Sequence, residues 1–426
     1  MVAGSLCGIA AALLGNFLVL RRMSLLGDAI SHAVLPGLAA AFLLTGQRQG
    51  WLMFVGAALV GLLTVLLIES AKEFGRVDEG AAIGVVFTFL FALGLVMIVR
   101  AADRVDLDPG CVLYGAIETT LVDLVMIGNW LVPRAVVSLS VITVLNLLFV
   151  VLLYRPLKVS TFDPQLAQSQ GVPVRAMHYG LASLVAMTSV AAFESVGNIL
   201  VVAMFVVPPV TAWLWTDRLW LMILLSTIFA VLSAVLGHLS AIAVPAMFGF
   251  KSTNTAGMMA VAAGGLLIVA GLFASRKGLL SRAAQSWRVQ RRILGEDLLG
   301  LLYRSHTQGI KTVEADKLRG KLIAPGWRIR IALRRLSRRG WVERNDQLVA
   351  LTPSGLAMAQ NVVRSHRLWE QYLSAEAGLP ESLLHEGAER LEHFTDRQLR
   401  ERLNAETHAP TLDPHGKSIP PEAGGE

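Results

Sequence analysis

The sequence predicts an all-α polytopic membrane protein of about eight to nine transmembrane helices, followed by a cytoplasmic winged-helix plus helical domain. Three observations carry this. Hydrophobic residues make up 54% of the 426 positions and charged residues 16%, with a mean hydropathy of +0.57. Soluble domains carry about 25% charged residues, so one buried core cannot absorb the excess and a lipid-facing surface is implied. Apolar runs of near-spanning length recur through the first two thirds of the chain. Finally, 13 of the 38 Lys+Arg and 13 of the 31 Asp+Glu precede Arg276, so the whole net charge of +7 sits in the remainder. That break marks a domain boundary.

The apolar runs lie at 2–20, 30–45, 51–69, 81–99, 136–154, 177–193, 196–214, 219–237 and 256–275. A helix of about 20 apolar residues crosses a bilayer, so nine spans are expected. The stretch 111–132 reads as a further or partly inserted helix. Met1–Leu20 has no basic leader, and Arg21 and Arg22 follow the apolar run, so it is not expected to be a cleavable signal. Placing the N-terminus outside puts Arg21, Arg22, Lys72, Arg76, Arg155, Lys158, Arg175 and Arg218 in the cytoplasm. Arg48, Arg100, Arg104, Arg134 and Lys251 then lie on the other side, a bias with the sense of the positive-inside rule. An odd number of spans leaves the basic tail in the cytoplasm. Cys7 and Cys111 share no motif and support neither a disulfide framework nor a Cys-based metal site.

Polar groups at membrane depth are costly and mark function more often than surface ones. Asp28 and His32, four apart, fall on one helix face. A carboxylate and an imidazole suit a borderline divalent metal; a helix cap and an interhelical bond are the alternative. Glu194 and Asn198 have the same spacing and read as a gate or an interhelical bond. His178 and His238 are expected to be structural. Asp103, Asp106 and Asp108 read as a solvated acidic loop that could attract cations. Between two spans, Tyr154 to Ala167 is too polar to cross, is bracketed by Pro156 and Pro164, and closes with Gly171-Val172-Pro173. It reads as a compact cytoplasmic element. No Gly-x-x-x-x-Gly-Lys-Ser/Thr phosphate loop occurs, so ATP hydrolysis by that route is not expected.

In the tail, Val313 to Arg339 reads as two helices broken at Ala324-Pro325-Gly326. Gly340 to Thr352 alternates like a hairpin, and Thr352-Pro353-Ser354-Gly355 opens another helix. Trp327 to Arg339 carries Arg328, Arg330, Arg334, Arg335, Arg338 and Arg339 and no acid. Such a face could grip nucleic-acid phosphates, sit on anionic lipid heads, or simply be solvated. Further on, Glu389, Glu392 and His393 share a helix face at i, i+3, i+4. That is good ligand geometry, and equally the pattern of a charged solvent face.

Residues 1–275 resemble the manganese/zinc/iron family of ABC permeases. The match rests on Leu20-Arg21-Arg22-Met23-Ser24-Leu25-Leu26-Gly27-Asp28-Ala29-Ile30-Ser31-His32-Ala33-Val34-Leu35-Pro36-Gly37, and on Leu107-Asp108 through Leu113-Tyr114-Gly115. It is extended by Thr161-Phe162-Asp163-Pro164 with Gly171-Val172-Pro173, and by Ser195-Val196-Gly197 through Val207-Pro208-Pro209. The resemblance implies import of a divalent metal (Mn, Zn or Fe) as substrate. Asp28 and His32 would line the path; Glu194 and Asn198 stand, on their spacing, as further pathway candidates. The element carrying Phe162, Asp163, Pro164 and Leu166 would dock on a separate ATPase. A second permease chain and an extracytoplasmic metal-binding protein are the other implied partners.

Residues 282–420 resemble the metal-dependent repressors of the diphtheria-toxin-repressor and manganese-regulator family. The match lies in Val363-Arg364-Ser365-His366-Arg367-Leu368-Trp369-Glu370, His385-Glu386-Gly387-Ala388-Glu389-Arg390-Leu391-Glu392-His393, and Asp413-Pro414-His415-Gly416 with Ile419-Pro420. By position, this implies metal ligands at His366, Glu389, Glu392 and His393, a neighbouring set with Glu370 and His385, and an acidic ligand at Asp297. Gly300 stands where the manganese regulators have Glu. The Arg-rich helix lacks their small polar recognition residues, which leaves metal sensing better supported than sequence-specific DNA reading. The expected domains are a permease at 1–275, a linker at 276–295, a winged-helix region at 296–358, a helical metal-binding region at 359–420 and a disordered end at 421–426. No tightly bound cofactor is expected beyond a metal on the tail. The rival reading is a membrane-tethered, metal-responsive transcription regulator.

Overall fold

The computed structural model describes residues 1–45, 51–102, 117, 124–127, 129–250, 253–322, 324–345 and 347–423. The chain divides into two compact units, Met1–Arg282 and Ala283–Glu426.

In the first unit, nine candidate spans are present among the described residues. Helix α1 (Val2–Leu20) carries no charged side chain and is buried along most of its length. The second span is broken into α2 (Ser24–Ala33) and α3 (Leu35–Thr45). Pro36, which has no N–H to donate and clashes with a preceding helical turn, accounts for the break. Then follow α4 (Trp51–Gly75), α5 (Glu79–Ala102), α6 (Arg134–Leu152), two short helices α7 (Tyr154–Phe162) and α8 (Pro164–Ser169), and the spans α9 (Val174–Val196), α10 (Asn198–Trp215), α11 (Leu219–Met247) and α12 (Thr255–Phe273).

Part of the stretch expected as a helix at 111–132 is something else. Leu124–Ile127 (β1) pairs antiparallel with Trp130–Pro133 (β2), Leu124 opposite Pro133. Two short apolar runs flanking Gly128-Asn129 satisfy their backbone groups as a hairpin instead of as a helix. Asp103, Asp106, Asp108 and Cys111 lie outside the described residues.

The spans pack through small residues and a few polar ties. A Cβ added to Gly37 of α3 would sit 2.4 Å from the Gly56 carbonyl oxygen of α4; one on Gly15 of α1 would sit 2.1 Å from the Phe205 carbonyl oxygen of α10. Such close backbone approach is how helices associate where lipid removes the hydrophobic drive. Asn16 donates to Ser226 Oγ at 2.7 Å, and Asn146 donates to Thr188 Oγ1 at 2.8 Å and to the Ala10 carbonyl at 3.1 Å. Each buried amide thereby ties two spans together.

In the second unit, the stretch 276–295 expected as a linker is mostly helical, because α13 runs unbroken over Leu279–Thr307. The strands β3 (Thr312–Glu314), β4 (Val342–Asn345) and β5 (Leu348–Leu351) form one antiparallel sheet in the order β3-β5-β4. Between them lie α14 (Ala315–Lys321) and α15 (Gly326–Arg338), and β4–β5 is the expected wing hairpin. Helix α15 buries Ile329, Ala332, Leu333 and Leu336 against Leu298, Leu299 and Leu302 of α13 and turns its arginines outward. Helices α16 (Pro353–Ala375), α17 (Glu381–Glu392) and α18 (Arg397–Glu406) complete the unit. Residues 421–423, expected to be disordered, are held: Glu422 pairs with Arg400 and Arg364, and the Ala423 N–H donates to Asn361.

Candidate functional site

Two places gather polar groups that could handle a metal, one in each unit. In the first, α2 presents Asp28 and His32 one turn apart, with His32 Nε2 3.5 Å from Asp28 Oδ1. The third member comes from another span. Gly197, at φ +86°, ends α9 and starts α10 at Asn198. A positive φ is open to glycine at no steric cost. The reading of Glu194 and Asn198 as one helix face is therefore corrected: they stand on two helices separated by this break. The Glu194 side chain lies outside the described residues. Asn198 is buried and donates from Nδ2 to His32 Nε2 at 2.8 Å. Its Oδ1 is buried and has no hydrogen-bond partner among the described residues. Phe87 and Phe91 of α5 pack their rings 5.5 and 5.8 Å from that of His32. A carboxylate, an imidazole and an unsatisfied amide oxygen against an aromatic wall form a donor set suited to a borderline divalent cation. His178 pairs instead with Glu69 at 3.2 Å, and His238 Nδ1 is buried without a partner among the described residues.

The polar element between α6 and α9 is a pair of short helices. Asp163 caps α8, its Oδ1 accepting from the Leu166 N–H at 2.9 Å, with Pro164 at the first helical position. That cap leaves Phe162 58% and Leu166 47% exposed, an apolar pair on an otherwise polar segment.

In the second unit, α16 and α17 bring His366, Glu370 and His385 into one group. The middle of α13 and the C-terminal end of α17 bring Asp297, Glu392 and His393 into another. His366 Nε2 lies 3.1 Å from Glu370 Oε1 and 2.9 Å from His385 Nδ1. His393 Nε2 lies 3.2 Å from Asp297 Oδ1, and its Nδ1 lies 2.8 Å from Glu296 Oε2. Glu389 belongs to neither group; it is exposed and lines the same cleft, of about 280 Å³, with His366, His385, Glu392 and Asp297.

Two further residues were missed in the sequence. Glu296 is buried and ion-paired to Arg292 at 2.8 Å, and His415 Nε2 lies 3.8 Å from Glu370. Glu296 shares no helical spacing with α17, so only the three-dimensional packing could reveal it. His415 stood inside a quoted motif, and its histidine was the available signal.

The electrostatics follow from burial against pairing. Burial alone would push His366 down, but hydrogen bonds to Glu370 and Glu392 overrule it and raise it to about 9. Burial opposes and Asp297 and Glu296 overrule it at His393, raised to about 10. At Glu370 burial pushes up, and His366 overrules it and brings the carboxyl down to about 2. Imidazole and carboxylate donors in closely spaced, partly buried groups fit a divalent transition metal, which would replace the protons that now hold these groups together.

Comparison with known proteins bears on both units. The model of the ABC 3 transport family matches residues 1–274. That of the iron dependent repressor, metal binding and dimerisation domain matches residues 352–421. The manganese transport system membrane protein MntD of Bacillus subtilis is 39% identical over 296 residues, 69% of this chain and 98% of that protein. The zinc transport system membrane protein TroD of Treponema pallidum is 35% identical over 356 residues, 83% of this chain and 95% of that protein. Among solved structures, PsaBC from Streptococcus pneumoniae in complex with Fab is similar with a TM-score of 0.54 and 31% identity, covering 65% of this chain and 91% of that one.

Proposed function

The chain belongs to the ABC 3 transport family, and on that premise we propose that it is the permease subunit of an ATP-driven importer for a divalent transition metal of the manganese–zinc class. The observation that carries this is the meeting of Asp28, His32 and Asn198 across two spans, with the Asn198 carbonyl oxygen unsatisfied among the described residues. A cation crossing there exchanges water for a carboxylate, an imidazole and an amide oxygen. Asp28 supplies the charge that offsets desolvation, and Asn198 fixes the His32 ring through its amide. Import requires a separate ATPase docked on α7–α8, an extracytoplasmic metal-binding protein, and a second permease chain. The N-terminus lies outside and the tail in the cytoplasm. The test is Mn(II) and Zn(II) uptake, in mutual competition, by a host lacking its own importer. Asp28→Ala and His32→Ala should each abolish uptake at unchanged membrane content. Normal uptake by both variants would sink the assignment.

The tail is proposed to sense metal and to adjust import. His366, Glu370 and His385 would hold one ion and Asp297, Glu392 and His393 a second, with Glu389 at the rim of the cleft. Bound metal supplies charge that replaces the imidazolium protons; the chain's own part is to present neutral rings and ionised carboxylates. Helix α15 sets exposed Trp327 and Ile331 among its arginines. An apolar and aromatic face mixed with arginine suits an anionic lipid surface better than base edges in a groove.

A further inference from the structure

We infer that Arg21 is a positioning residue that carries motion from the α7–α8 element to the helix bearing Asp28 and His32. This inference rests on the reading of α7–α8 as the ATPase docking element.

The geometry is specific. Arg21 closes α1, its N–H bonded to the Phe17 carbonyl at 3.0 Å. Its guanidinium then reaches across to α7, with Nε donating to Thr161 Oγ1 at 3.1 Å and Nη2 to Ser160 Oγ at 3.0 Å. Ser160 is buried, and its own hydroxyl donates to the Leu157 carbonyl. Thr161 is followed by exposed Phe162 and the capping Asp163, so the fork grips the docking element beside the surface a motor would push. Among the described residues, these are the side-chain hydrogen bonds that link α7 to another element.

On the other side of Arg21 the backbone is held tightly. Arg22 stands at φ +61°, a left-handed conformation more usual for glycine. The Arg22 N–H bonds to the Val19 carbonyl at 3.1 Å and the Met23 N–H to the Leu18 carbonyl at 2.9 Å. Met23 is buried, and α2 starts at the next residue. A displacement of α7 therefore reaches Asp28 through one charged fork and one locked turn. A cleft of about 470 Å³, lined by Arg21, Glu69, Lys72, Ser160, Thr161 and His178, lies beside the link and gives it room to move. Lysine, with a point charge in place of a planar fork, cannot hold both hydroxyls in fixed directions.

The test uses the full chain co-expressed with its ATPase, and reads co-purification, ATP hydrolysis and Mn(II) uptake together. For Arg21→Gln, and for Ser160→Ala with Thr161→Val, the complex should assemble and hydrolyse ATP within about twofold of the parent. Uptake per ATP should fall about tenfold or more. Arg21→Lys should fall between, and combining Arg21→Gln with the hydroxyl removals should be no worse than either alone. Unchanged uptake per ATP, additive losses, or hydrolysis falling in proportion to uptake would overturn the link. If Arg21→Gln fails to insert, the Ser160→Ala/Thr161→Val chain decides the matter alone. Failure of the docking reading shows separately, as absence of crosslinks to the ATPase from cysteines placed at Phe162 and Leu166.

Discussion

His366 and Glu392, 26 residues apart, share a 2.6 Å contact between Nδ1 and Oε2 and so join the two imidazole–carboxylate groups of the tail. His366 turns its other nitrogen to Glu370, while Glu392 Oε1 lies 3.6 Å from His393. The two groups should therefore respond as a pair. Glu392→Gln should weaken Mn(II) binding to both by about 10- to 100-fold, whereas Asp297→Asn should act mainly on the group containing His393. Calorimetric titration of the tail, residues 283–426, reads this; an effect of Glu392→Gln confined to one ion would contradict it.

The same contacts set a pH dependence. In the metal-free tail, His366 and His393 are raised to about 9 and about 10. Their contribution to stability is fully present below about pH 6.5, the ordinary imidazole value, and is lost as pH rises through 9 and 10. Metal ligation needs the neutral rings, so affinity should move the opposite way and strengthen with pH across that window. Thermal melts at pH 6.5 and pH 10, with and without Mn(II), should show a fall of several degrees that the ion removes. A metal-free tail equally stable at both pH values would refute the assignment of these protons.

Asn198→Ala removes both the amide N–H that bonds His32 and the neutral oxygen offered to the cation, but no charge. Uptake should fall about tenfold or more, the size of at least one buried hydrogen bond, while Asp28→Ala eliminates it. Mn(II) uptake kinetics at matched expression would distinguish them, and uptake unchanged in Asn198→Ala would remove Asn198 from the path.

Close helix packing makes its own forecast. A side chain at Gly237 would place Cβ 2.2 Å from Met259 Cα, whereas Gly264 and Gly265 have nothing within 4 Å. Gly237→Val should abolish a folded, extractable chain, and Gly264→Ala should not. Size-exclusion profiles in detergent would show equal behaviour if the α11–α12 approach were wrong.

Removing residues 283–426 should leave import running but release it from the cytoplasmic metal level. Uptake by full-length and truncated permease, compared in metal-replete cells, reads this directly. Identical feedback in both would leave the tail as an assembly module.

Much of the fold was legible because lipid imposes a length on apolar runs, and each expected run coincides with a helix except 30–45, which falls on the two helices α2 and α3. The wing hairpin was legible from alternation around Asn345–Gln347. The break at Gly197 was not: Glu194 and Asn198 have perfect helical spacing, and only the backbone angle separates them. Nor could spacing couple Asn198 to His32, 166 positions away, or Glu296 to His393, 97 away. Local periodicity fixes which face a residue occupies. Which other face it meets is decided by packing, and every partner of the candidate sites that was missed is of that second kind.

That the nine spans and the regulator-like unit belong to one polypeptide has a consequence for stoichiometry and time. Every permease chain carries one copy of the regulator-like unit, synthesised with it. The ratio of regulator-like unit to permease is thus constant at any expression level. A diffusible repressor can only thin out transporters by dilution over generations. A covalently attached unit instead meets its own permease at an effective concentration set by the connecting segment, independent of cell volume.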